Sequence, residues 1–252
     1  MSPTRHPIVV LWTTPRSRST AFERMMIERG DHTVFDEPFS VPYYFSAERR
    51  SNRYSERAPD ADAATVLDRL VDAAATRPVF VKEMAHHASG LLTPAFLGRF
   101  TNTFLVRAPR AALGSFAARW PDLTEEEAGY GRLLEAFRVV QQLGRTPPIV
   151  LESDEVTDDP PALVRAWCDA IGIPFIESAL RWEPGMQPQW ERWHDWYEGV
   201  ARTTGFVPRP PDAPTPLDER VNAIAARAQP VYDELAAVRL RDGHTSAQEP
   251  DV

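Results

Sequence analysis

The chain has 252 residues, 28 basic and 36 acidic side chains, a formal net charge of −8, and 43% hydrophobic and 25% charged residues. This is the balance of an ordinary globular domain that buries a core, which excludes a disordered or fibrous chain. The negative balance argues against nucleic-acid binding, the single cysteine, Cys168, excludes an intramolecular disulfide and a cysteine-built metal centre, and no segment approaches the roughly 20 apolar residues that span a bilayer. With too short an apolar run near its start for a secretory signal, the chain is expected to be cytoplasmic.

The first element is the run Ile8-Val9-Val10-Leu11-Trp12, continuous in β-branched and aromatic residues, as in a strand buried on both faces. A tight polar loop, Thr13-Thr14-Pro15-Arg16-Ser17-Arg18-Ser19-Thr20, follows, and Ala21-Phe22-Glu23-Arg24-Met25-Met26 then reads as helix. Further strands are expected at residues 32–35, 78–82, 101–106 and 148–151. Between them, helical spacing recurs at Val66, Leu67, Leu70 and Val71, at Leu113, Phe116 and Ala117, and at Leu133, Leu134, Phe137 and Val140. Thr124 and Glu127 form a capping box ahead of a helix over 124–143, whose apolar face suits either the core or a homodimer contact. Strands alternating with helices predict an α/β fold: a three-layer α/β/α domain around a parallel sheet.

After Pro174 the sequence becomes rich in Trp, Pro and Arg, and only 217–238 recovers helical spacing, with a kink expected at Pro230. The five prolines within 208–216 predict a stiff extended connector, and 239–252 a disordered tail. The expected organisation is a single domain over 1–238, with 180–207 either a lid or an apolar docking surface.

The loop after the first strand bears most directly on function. Amides at a helix start, reinforced by the helix dipole, make a phosphate site, and Arg16 and Arg18 add charge there. The Walker pattern would need Gly at positions 13 and 18 and Lys at 19, where this chain has Thr13, Arg18 and Ser19. On these residues alone the segment is either a phosphate cradle or a βα turn capped by Ser and Thr. A second constellation is Arg107, Pro109 and Ser115, at the end of the fourth apolar run and the start of the next helix. A guanidinium offers a phosphate two donors and a hydroxyl a third, though a surface ion pair and a plain helix residue would look the same.

Together these segments resemble the sulfotransferases that use 3′-phosphoadenosine 5′-phosphosulfate (PAPS), whose loop reads approximately Pro-[Lys/Arg]-Ser-Gly-[Ser/Thr]-Thr and stands here as Pro15-Arg16-Ser17-Arg18-Ser19-Thr20. The resemblance implies a P-loop-type fold in which the loop wraps the 5′-phosphate, with Arg16 on the bridging oxygen and Ser17, Arg18, Ser19 and Thr20 around the phosphate. It implies that Arg107 and Ser115 hold the 3′-phosphate. Arg18 replaces the family's glycine, and a side chain there either narrows the backbone's approach or requires a less comfortable dihedral.

The same resemblance places the catalytic base after Lys82, the chain's only lysine, on His86 or His87, and the sequence does not choose between them. Lys82 and Arg16 would offset charge on the leaving phosphate. In Asp36-Glu37-Pro38-Phe39, which resembles the family's acceptor segment, Glu37 is an acceptor-orienting group, a substitute base or a structural ion-pair partner, and Phe39 an acceptor contact. Trp193, in the cluster of Trp182, Trp190, Trp196 and Tyr197, is a further acceptor contact, while Arg202 and Gly205 lie where the family's C-terminal 3′-phosphate segment is expected, without its usual Gly-x-x-Gly-x-x-Lys. His194 and Asp195 lack a readable third partner for a hydrolytic triad.

The expected activity is transfer of a sulfuryl group from PAPS to a hydroxyl or amine of a small-molecule acceptor, with no metal, nucleic-acid or membrane partner. The alternatives are an atypical P-loop phosphotransferase, disfavoured by Ser19 at the Walker lysine position, and a non-catalytic nucleotide-binding protein.

Overall fold

A computed structural model describes residues 5–58, 61–208 and 216–241. In chain order the first half forms β1 (Ile8–Thr13), α1 (Ser19–Arg29), β2 (Thr33–Asp36), α2 (Ser40–Phe45), α3 (Ala63–Ala73), β3 (Val79–Met84), α4 (Pro94–Leu97), β4 (Thr101–Val106) and α5 (Pro109–Ala117). The second half adds α6 (Glu125–Ala128), α7 (Tyr130–Leu143), β5 (Ile149–Glu152), α8 (Ser153–Asp158), α9 (Pro160–Ile171), α10 (His194–Ala201) and α11 (Glu219–Ala237). All strand pairs are parallel, in the order β2-β3-β1-β4-β5.

The sheet is covered on both faces, so its strands are apolar on both, as parallel sheets require. Ile8, Val10 and Trp12 of β1 face a core shared with Val66 and Leu70 of α3, Leu133 and Phe137 of α7 and Ile224 of α11. The alternate residues Val9 and Leu11 face Phe22, Met25 and Met26 of α1 and Leu163, Val164 and Trp167 of α9. Period-two alternation thus splits one strand between two hydrophobic layers, the three-layer α/β arrangement expected.

The five expected strands are all present, and the structure departs from expectation within 124–143 and at the start of the expected tail. The segment 124–143 is two helices: the capping box closes only α6, and Gly129 turns the chain at φ 80° before α7 begins. The left-handed region suits glycine, which has no Cβ to clash. The helix α11 runs without interruption past Pro230, its buried Val221, Ile224, Ala225 and Leu235 holding it to the core despite the missing amide. The expected tail does not begin at Arg239: its guanidinium donates to Glu155 at 2.8 Å, and the Leu240 amide donates to the Val150 carbonyl at 2.7 Å. Most of the proline connector (209–215) and the rest of the tail (242–252) lie outside the described residues. No described helix is long and apolar enough to cross a membrane.

Candidate active site

Every strand delivers a polar segment at its C-terminal end, and four of these segments meet at one cavity of about 620 Å³. The loop after β1 supplies Arg16, Arg18, Ser19 and Thr20, the end of β2 supplies Glu37, the turn after β3 supplies His86 and His87, and the end of β4 supplies Arg107. Ser115, Arg119, Arg202 and Gly205 also line it. Five arginines on one cavity in a net-negative chain make a local anion site.

Arg16 and Arg18 both take left-handed dihedrals, φ 61° and φ 63°, and Arg18 is the N-cap of α1 without a capping side chain. The loop therefore wraps the helix start, where the Ala21 amide donates to the Arg18 carbonyl at 3.0 Å and no Arg18 side-chain cap is made. The Arg16 Nε donates to Ser115 Oγ at 3.0 Å, and Arg107 Nη1 donates to the Arg16 carbonyl at 2.9 Å. The two phosphate motifs, about ninety residues apart in sequence, are thus joined directly. Burial, with Arg119 and Arg107 nearby, lowers the pKa of Arg16. Ser17 is not on the cavity wall: fully buried, its hydroxyl is hydrogen-bonded to Thr13, and its carbonyl accepts from Ser153 Oγ at 2.6 Å. Its side chain shapes the loop from behind.

Lys82 also departs from expectation. β3 is buried on both faces, so the ammonium cannot reach the cavity and instead contacts Asp36 at 2.5 Å, Glu37 at 2.6 Å and Glu23 at 3.5 Å, and donates to the Tyr197 hydroxyl at 2.9 Å. Three carboxylates around one ammonium cannot all ionise without cost. Burial, with Asp36 adding to it, pushes Glu23 well up, and burial raises Asp36 to about 7 against the pull of Lys82. Glu37 behaves oppositely. Burial opposes its charge, but Lys82, His87 and the Tyr197 hydroxyl outweigh burial and hold its pKa below the ordinary carboxylate value. Glu37, at φ 42°, is the member of this cluster that lines the cavity together with Tyr197.

The two histidines are both buried and neutral. His87 Nδ1 lies 2.9 Å from Glu83 Oε1, and burial lowers its pKa to about 4. Burial, reinforced by Glu37, holds the Glu83 carboxyl well above its usual range. His86 packs edge-on against Tyr43, ring centroids 5.3 Å apart, and neither of its ring nitrogens has a hydrogen-bond partner among the described residues. Burial, then His87, lowers its pKa far below normal.

The Trp-rich segment is part of the body. Trp182 and Trp190 are buried, whereas Trp193 and Trp196 form cavity wall with Tyr44, Trp120 and Phe116. Trp193 Nε1 donates to Ser40 Oγ at 3.3 Å. Arg119 lies over the Trp196 ring at 5.0 Å. Phe39 is not an acceptor contact: it is 1% exposed, packs edge-on to Phe96, and its amide donates to Glu83 at 2.7 Å. Arg202 is largely exposed, 3.5 Å from Glu198, and Gly205 bridges to Arg181 where a Cβ would meet the Leu180 carbonyl at 3.1 Å. His194, Asp195 and Glu198 form an exposed group on α10.

No sequence motif marks Asp36, Glu83, Asp154, Arg119, Tyr44 or Trp120 as a site residue. Asp36 and Glu83 neighbour residues that are so marked, and a charged residue at the buried end of a strand is itself a signal. Tyr44 and Trp120 carry no motif.

A family model described as "Sulfotransferase domain" matches residues 8–239. The chain is 30% identical over 206 residues to Branched-chain-amino-acid aminotransferase-like protein 2 of Arabidopsis thaliana, covering 79% of this chain and 36% of that protein. It is 28% identical over 235 residues to the corresponding protein 1, covering 90% and 41%. The chain thus spans about two-fifths of the length of these curated relatives. Among solved structures, the Sulfotransferase Domain from the Synechococcus PCC 7002 Olefin Synthase is similar with a TM-score of 0.50 at 17% identity, covering 89% of this chain and 95% of that chain, which is a likeness of fold. With the family model matched across nearly all of the sheet-and-helix body, this chain belongs to the sulfotransferase domain family.

Proposed function

We propose that the protein transfers a sulfuryl group from PAPS to a hydroxyl or amine of a small-molecule acceptor. The observation that carries this reading is the cavity of about 620 Å³ that the β1 loop and its arginines line together with Arg107, Ser115 and the carboxylate of Glu37. Bound at this site, PAPS would supply the sulfuryl group as the transferring substrate. The first amides of α1 and the Arg16 guanidinium bind the 5′-phosphate and stabilise the charge that collects there. Arg107 and Ser115 receive the ribose phosphate.

The chain's own groups favour Glu37 as the base that takes the acceptor proton. It is the cavity carboxylate whose surroundings keep it ionised, and Lys82 and Tyr197 fix its Oε1, so Oε2 is the oxygen left to accept. His87, neutral and beside Glu37 on the cavity wall, helps to position the acceptor, and His86 forms neutral wall. Tyr44, Trp120, Trp193 and Trp196 give the acceptor a flat apolar surface and exclude water.

Titration calorimetry with adenosine 3′,5′-bisphosphate, beside ATP with magnesium and AMP, tests the donor class in wild type and Arg107→Ala. Binding selective for the bisphosphate and weakened in the variant supports the reading, and justifies an acceptor screen with PAPS. Absent bisphosphate binding, or equal binding of ATP, overturns it in favour of phosphoryl transfer or a non-catalytic role.

A further inference from the structure

Of the five described arginines on the cavity, four are engaged by the chain itself. Arg16 donates to Ser115 Oγ, Arg107 to the Arg16 carbonyl and Arg18 to Thr157 Oγ1, while Arg202 lies 3.5 Å from Glu198. Arg119 differs: its guanidinium makes no hydrogen bond or ion pair among the described residues, and it lies over the Trp196 ring at 5.0 Å. Its backbone is anchored just beyond α5, where its amide donates to the Phe116 carbonyl at 2.9 Å. A guanidinium held against a ring keeps its N–H fork free to meet an anion. Arg16 lies over the same ring at 5.8 Å, so two like charges share one indole. The described carboxylates on the cavity wall are taken up elsewhere, Glu37 by Lys82 and Glu198 by Arg202.

From Arg119 an aromatic surface leads to Glu37. Trp196 stands edge-on to Trp120 with centroids 5.1 Å apart, Trp120 meets Tyr44 at 6.5 Å, and Tyr44 meets His87 at 5.4 Å. His87 Nδ1 is in turn 3.9 Å from Glu37 Oε2. All these residues line the cavity. Arg53, bound to Glu127 at 2.7 and 2.8 Å, lies over Trp120 at 4.1 Å and fixes that ring. We infer that the acceptor is a planar aromatic hydroxy acid, its ring on this wall, its hydroxyl at Glu37 and its carboxylate on Arg119. This rests on the PAPS reading and names the acceptor class. The acceptor oxygen forms the new bond to sulfur as its proton passes to Glu37, the bond from sulfur to the bridging oxygen breaks, and that electron pair leaves with the bisphosphate. A carboxylate accepts two donors from the Arg119 fork, whereas a second amine on the acceptor would be repelled there.

The test is titration calorimetry of wild type, Arg119→Gln and Arg119→Lys, with and without saturating adenosine 3′,5′-bisphosphate. The probes are 4-hydroxybenzoate, 3-(4-hydroxyphenyl)propanoate, the amide of the latter, and tyramine. Arg119 is exposed, so both variants are expected to fold, with thermal denaturation confirming it. In wild type at least one acid should bind about 5- to 20-fold tighter than the amide, a range set by a charge-assisted contact open to solvent, and tyramine should bind weakest. The preference should shrink to about twofold or less in Arg119→Gln, survive in part in Arg119→Lys, and weaken as salt is raised. Bisphosphate affinity should stay within about twofold in Arg119→Gln. A wild type that prefers the amide or tyramine, or binds no probe, overturns the inference, as does an acid preference kept in Arg119→Gln. Bisphosphate binding lost in that variant along with acid binding would assign Arg119 to the donor instead. An acid preference that depends on Arg119 in a protein that binds no bisphosphate would sink the donor reading and leave the anion contact standing. Selective bisphosphate binding without acid preference would sink the acceptor class alone.

Discussion

The hydroxyl of Tyr197 lies 3.0 Å from Glu37 Oε1, so a residue of α10 completes the shell around a carboxylate at the end of β2. The same hydroxyl accepts from Lys82 at 2.9 Å and is 3.0 Å from Asp36 Oδ1. The late Trp-rich segment is thereby tied to the acidic cluster beside the cavity.

Removing that hydroxyl leaves a buried ammonium and carboxylate each one partner short. Tyr197→Phe should lower stability by about 1–3 kcal/mol. It should reduce turnover more than bisphosphate binding, since Tyr197 touches Glu37 rather than the phosphate loop. Urea denaturation and calorimetry on the same variant separate the two effects.

Lys82 is enclosed with Asp36, Glu37 and Glu23, and its substitution leaves three buried carboxylates without their counter-ion. Breaking a buried ionic cluster at one partner costs about 3–5 kcal/mol. Lys82→Met should therefore be among the most destabilising single changes, measured as a fall in denaturation midpoint, and Lys82→Arg should not rescue it because the site is filled around a compact ammonium.

If Glu37 is the base, Glu37→Gln should cut turnover by about 100- to 10,000-fold with bisphosphate affinity preserved. His86→Ala and His87→Asn should each lose less. Because Glu37 is held below its ordinary pKa, the acid limb of kcat/KM should lie below about pH 4.5 rather than near the ordinary histidine pKa of about 6.5. A limb near pH 6.5 abolished in His87→Asn would return the base to His87.

Stability should respond to His87 in a defined window. Its folded pKa of about 4 is below the unfolded value of 6.5, so the unfolded chain binds the extra proton between these limits. The contribution is fully present above pH 6.5 and is lost as pH falls toward 4, amounting to about 3 kcal/mol in all. In His87→Asn this part of the acid destabilisation should disappear from the pH dependence of the urea midpoint.

Gly129 packs over His86 at φ 80°, and a Cβ there would sit 3.3 Å from His86 Nδ1 and 3.4 Å from Pro15 Cδ. Gly129→Ala should cost about 1–2 kcal/mol from the dihedral alone. It should also weaken bisphosphate binding by pressing on Pro15 at the start of the phosphate loop, a shift read by calorimetry.

The sequence by itself determined the five strands and the parallel sheet, because uninterrupted apolar runs between helical repeats have few other ways to be buried. It also marked the β1 loop and the Arg107 and Ser115 pair, which the fold brings to one cavity, since these depend on residue type at short, fixed spacing. What only the tertiary structure decided was which way each side chain faces. Ser17 and Phe39 sit within the right motifs yet turn into the core, and Lys82 lies inside a strand covered on both faces, so its charge is met by carboxylates instead of by the cavity. The convergence of Arg18 and Arg107 on Asp154, and of Tyr197 on Glu37, joins residues 47 to 160 positions apart. No local periodicity encodes such contacts, because they follow from the strand order and from where the last helices pack. The single glycine at 129 likewise shows its effect only in space, where it splits one helical pattern in two and lets His86 and Pro15 approach the same point.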